Sequence, residues 1–157
     1  MTRGPAGLSR RALLTSTAAG LAVGCIARTP ANASPDGKGS AVRLRFLFAD
    51  QDFTATLEDS PPARDLASML PLDLKITDYA TNEKIAWLPR KLTGDGSGRF
   101  DTEAVGDLCY YAPWGNLAMF HGPYRWSPGL IRLGRLDRDV APLLVRGEYP
   151  LRIEIAS

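Results

Sequence analysis

Apolar residues recur at every second position in several short runs of this chain, and few folds accommodate that pattern. Val42, Leu44, Phe46 and Phe48 alternate with Arg43, Arg45 and Leu47. Phe53, Ala55 and Leu57 alternate with Thr54, Thr56 and Glu58, and Leu72, Leu74 and Ile76 repeat the theme. Tyr149, Leu151, Ile153 and Ile155 close the chain in the same register. A period of two puts successive side chains on opposite faces of a strand, so each run reads as a half-buried strand. Asp50-Gln51-Asp52 separates the first two runs and predicts a hairpin turn.

Between the second and third runs the period changes. Ser60 is a good N-cap and Pro61 suits a first helical turn. Leu66, Met69 and Leu70 follow at helical spacing with Ala63 on the same side, and Pro71 ends the segment. The prediction is one short amphipathic helix that must pack on the sheet. Ile85–Leu88, Asp107–Ala112, Leu117–Phe120 and Gly129–Leu136 supply further strands. Pro113-Trp114-Gly115-Asn116 is a turn, and Asp137–Val145 has room for a second short helix. About eight short strands with one or two helices give a mainly β domain, a closed barrel or a sandwich. Closure removes the sheet edges that otherwise template aggregation.

Charge separates the chain into two parts. Its 157 residues carry 19 Lys+Arg and 17 Asp+Glu. Arg3, Arg10, Arg11 and Arg28 precede residue 34, where no acidic residue occurs. Removing those four leaves 15 basic against 17 acidic residues in Ser34–Ser157, a net charge of −2. The overall excess of positive charge therefore belongs to the N-terminal segment, and a nucleic-acid-binding face is not indicated.

That segment reads as an export signal over residues 1–33. Arg10-Arg11 precedes a mild apolar run, Ala12–Ala27, and Ala31-Asn32-Ala33 forms a small-residue cleavage site. The paired arginines match the twin-arginine address. The run is too short and too weakly apolar to span a bilayer well. A second maturation route uses Ala22-Val23-Gly24-Cys25, which resembles a lipobox; lipidation of Cys25 would then be the only link to a membrane. Either route gives a periplasmic or extracellular protein. Residues 34–41 form a flexible tether rich in Ser, Gly and Pro, and the folded domain spans 42–157. Cys109 is the domain's single cysteine, so no internal disulfide is possible. It reads as a small buried strand residue.

Three motifs together carry a resemblance: Glu83–Leu92 (EKIAWLPRKL), Gly106–Tyr124 (GDLCYYAPWGNLAMFHGPY) and Ser127–Leu136 (SPGLIRLGRL). As a set they resemble the bacterial cyclophilin-like fold proteins, small domains mostly without an established activity. The resemblance covers nearly all of Val42–Ile155. It implies a closed eight-stranded cyclophilin-like β-barrel with one or two short helices. It also implies a candidate activity, prolyl cis/trans isomerisation. That reaction has a barrier of roughly 18–20 kcal/mol, set by the resistance of the amide to twisting. A catalyst needs an apolar pocket for the ring and a donor that favours the twisted amide. Cyclophilins supply an arginine in a Phe-His-Arg context. Here Arg90 is the nearest candidate, but it follows Pro89, and Phe120-His121 is followed by Gly122.

Other chemistry finds little purchase. His121 is the only histidine and has no H-x-x-H or C-x-x-C partner, so neither a metal nor a cofactor is expected. No nucleophile elbow is present. Thr93–Gly98 (TGDGSG) lacks the strand-before, helix-after context of a phosphate loop. Aromatic residues are the better signal: Tyr110, Tyr111, Trp114, Phe120, Tyr124 and Trp126 crowd into one stretch. Tyr110 and Tyr111 must face opposite ways, one into the core and one toward any pocket. The expected ligand site comprises Glu83, Tyr110, Trp114, Phe120 and Tyr124, with Glu83-Lys84 as an ion pair at its mouth. Three roles follow: a module binding a peptide or small molecule, a prolyl isomerase acting on extracytoplasmic proteins, or a structural partner in the cell envelope.

Overall fold

The computed structural model describes residues 41–93 and 98–157. The export signal over 1–33, Cys25, nearly all of the tether and the centre of the TGDGSG loop lie outside the described residues. Among the described residues no helix is long and apolar enough to cross a membrane.

Among the described residues eight strands form in chain order. They are β1 (Arg43–Phe48), β2 (Gln51–Leu57), β3 (Leu72–Tyr79), β4 (Glu83–Trp87), β5 (Asp107–Tyr111), β6 (Asn116–Phe120), β7 (Leu130–Leu136) and β8 (Tyr149–Ile155). Helix α1 (Pro61–Ser68) follows β2, and a 3-10 turn over Ala141–Leu144 precedes β8. The strands pair in the ring β1-β2-β7-β5-β6-β4-β3-β8, a closed barrel. Every pairing is antiparallel.

The period-two runs point their apolar residues inward as expected. Leu44, Phe46, Ala55, Leu57, Ile76, Leu151 and Ile153 join one interior cluster with Leu108, Tyr110, Leu117, Met119 and Leu133. Helix α1 adds Ala63 and Leu66 to that cluster, and the 3-10 turn adds Leu143. Ser60 caps α1, accepting from the Ala63 amide at 3.4 Å. The helix ends at Ser68, two residues short of the Leu70 that its apolar spacing reaches. Met69 is already the C-cap, because Leu70 precedes Pro71 and such a residue avoids helical geometry. The first hairpin is also tighter than expected. Phe48 pairs with Gln51, so the turn is Ala49-Asp50, with Ala49 in a left-handed conformation (φ 49°). Asp52 belongs to β2, where it pairs with Arg45 at 2.7 Å.

Two interior details were hidden by the apolar pattern. Lys84 faces inward on β4 and is fully buried. Its ammonium meets the Asp78 carboxylate at 2.8 Å and lies 5.6 Å from the centre of the Phe48 ring. Burial works to raise the Asp78 carboxyl, but Lys84, the Gly147 amide and Arg146 outweigh it and hold it below its ordinary value. Gly134 sits where β7 crosses close to β2. A Cβ there would overlap the Thr56 carbonyl oxygen and lie 2.9 Å from the Leu57 Cα. Glycine is needed for that approach, since the obstacle is backbone that cannot swing aside.

Candidate functional site: an aromatic trough on the outer barrel face

Alternation that fills the barrel also builds a second, smaller apolar layer on its outside. Ile85 of β4, Cys109 of β5, Ala118 and Phe120 of β6 and Leu130 of β7 cluster on the outer face. Phe100, Tyr111, Tyr124 and Trp126 pack against them. A cavity of about 340 Å³ opens over this layer, within the size range usual for ligand sites. Ile85, Ala118 and Leu130 line it together with the rings of Tyr79, Tyr111, Trp114, Phe120 and Tyr124. Its polar lining is Asn82, Glu83, Asn116, Arg125 and Ser127.

Register sets the shape of this cavity. Glu83 is paired with Phe120, Ile85 with Ala118, and Trp87 with Asn116. Glu83 and Asn116 therefore mark opposite ends of a trough, four residues apart along β6, or ~13 Å at ~3.3 Å per residue. Ile85 and Ala118 lie between them. Tyr79 pairs with Glu83 at one end and Tyr111 pairs with Asn116 at the other. Trp114, on the β5–β6 turn, touches both rings edge-on, 5.4 Å from Tyr79 and 5.5 Å from Tyr111 between centres. It is half-exposed, so its indole bridges the two ends.

The wall near Glu83 is fixed by a buried network. Tyr124 stacks on Phe120 with ring centres 3.6 Å apart. The Tyr124 hydroxyl donates to Asp107 at 2.6 Å. Asp107 is fully buried and also accepts from Arg135 at 2.6 Å and from the Ala104 amide at 3.0 Å. Burial and the neighbouring Asp107 carboxylate push the Tyr124 phenol far above its ordinary value, so it stays a donor. Cys109 lies behind this wall, its sulfur 3.8 Å from the Tyr124 oxygen. Burial pushes its thiol up to about 12, which suits packing and not nucleophilic chemistry.

Among the described residues, two polar groups in the trough are left without protein partners. Glu83 is half-buried, and among the described residues nothing hydrogen-bonds or ion-pairs with it. Desolvation alone pushes its carboxyl up from 4.5 to about 7. Asn116 is 2% exposed. Its side-chain amide donates to the Leu117 carbonyl at 3.0 Å, while its Oδ1 is buried with no hydrogen-bond partner. Buried polar atoms are satisfied in the great majority of cases. Together these groups leave an acceptor at one end and a proton-sensitive acid at the other.

Glu83, Trp114, Phe120 and Tyr124 are thus brought to one concavity. Tyr110 and Arg90 are not. Tyr110 points into the barrel, where it is 2% exposed and its hydroxyl accepts from the Leu92 amide at 3.1 Å. The β5 tyrosine that lines the pocket is its neighbour Tyr111, on the other face of the strand. Arg90 is held by Asp65 of α1 through two hydrogen bonds of 2.8 and 2.7 Å. It does not line the trough. Glu83 and Lys84 form no pair, because adjacent strand residues face opposite sides. Tyr79, Asn82, Asn116, Arg125 and Ser127 were missed. Asn116 and Ala118 were recoverable, since period two from Phe120 puts them on its face. Arg125 and Ser127 lie on an irregular segment that carries no such signal. Among the described residues no group of three metal-ligating side chains comes together.

A closed, all-antiparallel eight-stranded barrel with one short helix, bearing its pocket outside, defines the class to which comparison can be made. The cyclophilin-like family model matches residues 46–155, more than two thirds of the chain. The chain belongs to that family. Its fold is also similar to the solution structure of a hypothetical protein from Archaeoglobus fulgidus, with a TM-score of 0.63 at 19% identity over 77% of this chain and 99% of that one. No curated protein matches the sequence.

Proposed function

We propose that this cyclophilin-like domain is an exported binding module that holds a peptide or small organic ligand in the outer-face trough, without a catalytic step. The observation that carries this reading is the pairing of aromatic walls with two unsatisfied polar groups, Glu83 and Asn116 Oδ1. Such groups destabilise an empty site, and a ligand that satisfies them is held firmly. Export over the twin-arginine route, followed by cleavage after Ala33 or lipidation of Cys25, would place the module outside the cytoplasm.

Thermal unfolding in the presence of a fragment set tests the binding reading, since a ligand specific to the folded state raises the midpoint. The expected result is at least one fragment that raises it in the wild-type chain and not in Trp114→Ala. Ligands whose effect survives Trp114→Ala would place binding elsewhere.

One observation supports the isomerase alternative: an arginine, Arg125, lines the same trough. A guanidinium donor over an aromatic cleft is the arrangement that amide twisting requires. Proline-peptide isomerisation by the full chain, with Arg125→Ala as control, decides it. Activity above background that Arg125→Ala abolishes would replace the binding reading with catalysis.

A further inference from the structure

We infer that the trough is built for a linear organic cation, an alkylamine whose ammonium sits against Glu83 among the rings and whose far end donates an N–H to Asn116 Oδ1. This rests on the trough being a ligand site and names what it takes.

Three features point to this chemistry. The first is the walls. Tyr79, the β3 partner of Glu83, meets Trp114 edge to face, while Phe120, its β6 partner, forms a parallel pair with Tyr124. An aromatic lining of this kind attracts a cation and gives little to an anion. The second is the pair of polar ends. Glu83 and Asn116 Oδ1 are both acceptors in the state that recognises an amine, and among the described residues neither has a donor; Asn116 Oδ1 is buried without a partner. A ligand that carries N–H groups at both ends satisfies both; one that carries only acceptors satisfies neither. The third is the floor. Ile85 and Ala118 separate the polar ends with apolar surface, the match for a methylene chain. The ~13 Å between the strand positions of Glu83 and Asn116 favours an extended chain over a compact ring.

To the trough lining β3 contributes Tyr79, β5 contributes Tyr111, and the segment after β6 contributes Tyr124 and Arg125. Lys84 and Asp78 pair on the inner side of the sheet. His121 lies toward that same side, its proton affinity lowered by burial and then by Arg146 and Lys84. Arg125 is the one cation in the trough lining, and it is exposed. It opposes an ammonium ligand weakly, through solvent. Glu83 is neutralised by a proton near pH 7 in the free protein, and an ammonium displaces that proton. Amine binding is therefore linked to proton release below about pH 7.

Isothermal titration of the full chain with α,ω-diaminoalkanes of four to ten carbons tests this. The matching diols and a monoamine serve as comparators. Diamines should bind at least tenfold more tightly than diols of equal length, with affinity rising with chain length until the second amine reaches Asn116. As pH rises toward 7 the affinity should increase by up to tenfold per pH unit and level off above it. Glu83→Gln should weaken diamine binding at least tenfold and remove the pH dependence, while Arg125→Ala should tighten it. Arg90→Ala, outside the trough, should leave it within twofold. If diols or neutral fragments bind in the trough as well as diamines do, the cation inference fails and the ligand-site reading stands. If nothing binds and Trp114→Ala alters no ligand response, both fail.

Discussion

Replacing Glu83 by Gln should stabilise the free protein, and only above a definable pH. The Glu83 carboxyl is shifted from 4.5 to about 7 by desolvation, with no cation to offset it. Below about pH 4.5 it is protonated in both the folded and the unfolded chain and makes no difference between them. As pH rises from 4.5 to 7 the unfolded chain releases the proton while the fold retains it, so stability falls. Above about 7 the folded carboxyl is charged and the full penalty applies. At 1.36 kcal/mol per pH unit the gap corresponds to about 3 kcal/mol. Glu83 is only half-buried, and solvent screening reduces this to ~1–2 kcal/mol. Gln keeps the shape and removes the charge. For a domain of this size Glu83→Gln should raise the melting temperature by about 3–10 °C at pH 8 and leave it unchanged at pH 4. Circular dichroism melts at both pH values measure this. An equal effect at both, or a loss at pH 8, would refute the claim that an unpaired charge is held in the trough. A side chain that stabilises on removal is what a functional site leaves behind.

The interior gives sharper contrasts. Asp78→Asn leaves the Lys84 ammonium buried without its counter-charge and should destabilise by about 3 kcal/mol, whereas Lys84→Met should stay within about 1 kcal/mol of wild type; urea unfolding of both variants makes the comparison. Gly134→Ala drives a methyl into the Thr56 carbonyl and should cost more than about 3 kcal/mol, read as loss of the cooperative transition or of soluble protein. Arg90→Ala should lower the melting temperature at pH 7, because Arg90 and then Thr93 hold the Asp65 carboxyl far below its ordinary value. That loss should shrink as pH falls below the ordinary 3.8 and Asp65 in the unfolded chain takes up its proton.

The barrel was legible because its signal is local. Four strands announce themselves by alternation and four by short apolar stretches; that pattern leaves a barrel or a sandwich once edges must be paired, and the resemblance of three motifs selected the closed barrel. Residues that broke the alternation were misread. In the sequence Lys84 reads as the partner of Glu83 at the pocket mouth, since only the fold turns it inward and brings Asp78 across from β3 to meet it. Gly134 gives no sign in the chain that another backbone passes above it. The trough was half legible. Its aromatic density and Glu83 stood out, but the choice between Tyr110 and Tyr111 depends on register. One residue of strand phase decides whether a ring fills the core or faces a ligand. Arg90 attracted notice as the arginine nearest to where the resemblance places a catalytic one; in space Asp65 of α1 holds it. Asn116, read as a turn residue, is the first residue of β6, and it becomes notable only when its buried oxygen is seen to lack a donor.

Carboxyl NMR of the chain selectively labelled at glutamate, with the Glu83 signal assigned through Glu83→Gln, reaches the centre of this account. Titrated alone, Glu83 should release its proton near pH 7, and saturating α,ω-diaminoalkane should bring that transition back toward 4.5. A transition already near 4.5 in the free protein, unmoved by the amine, would contradict it.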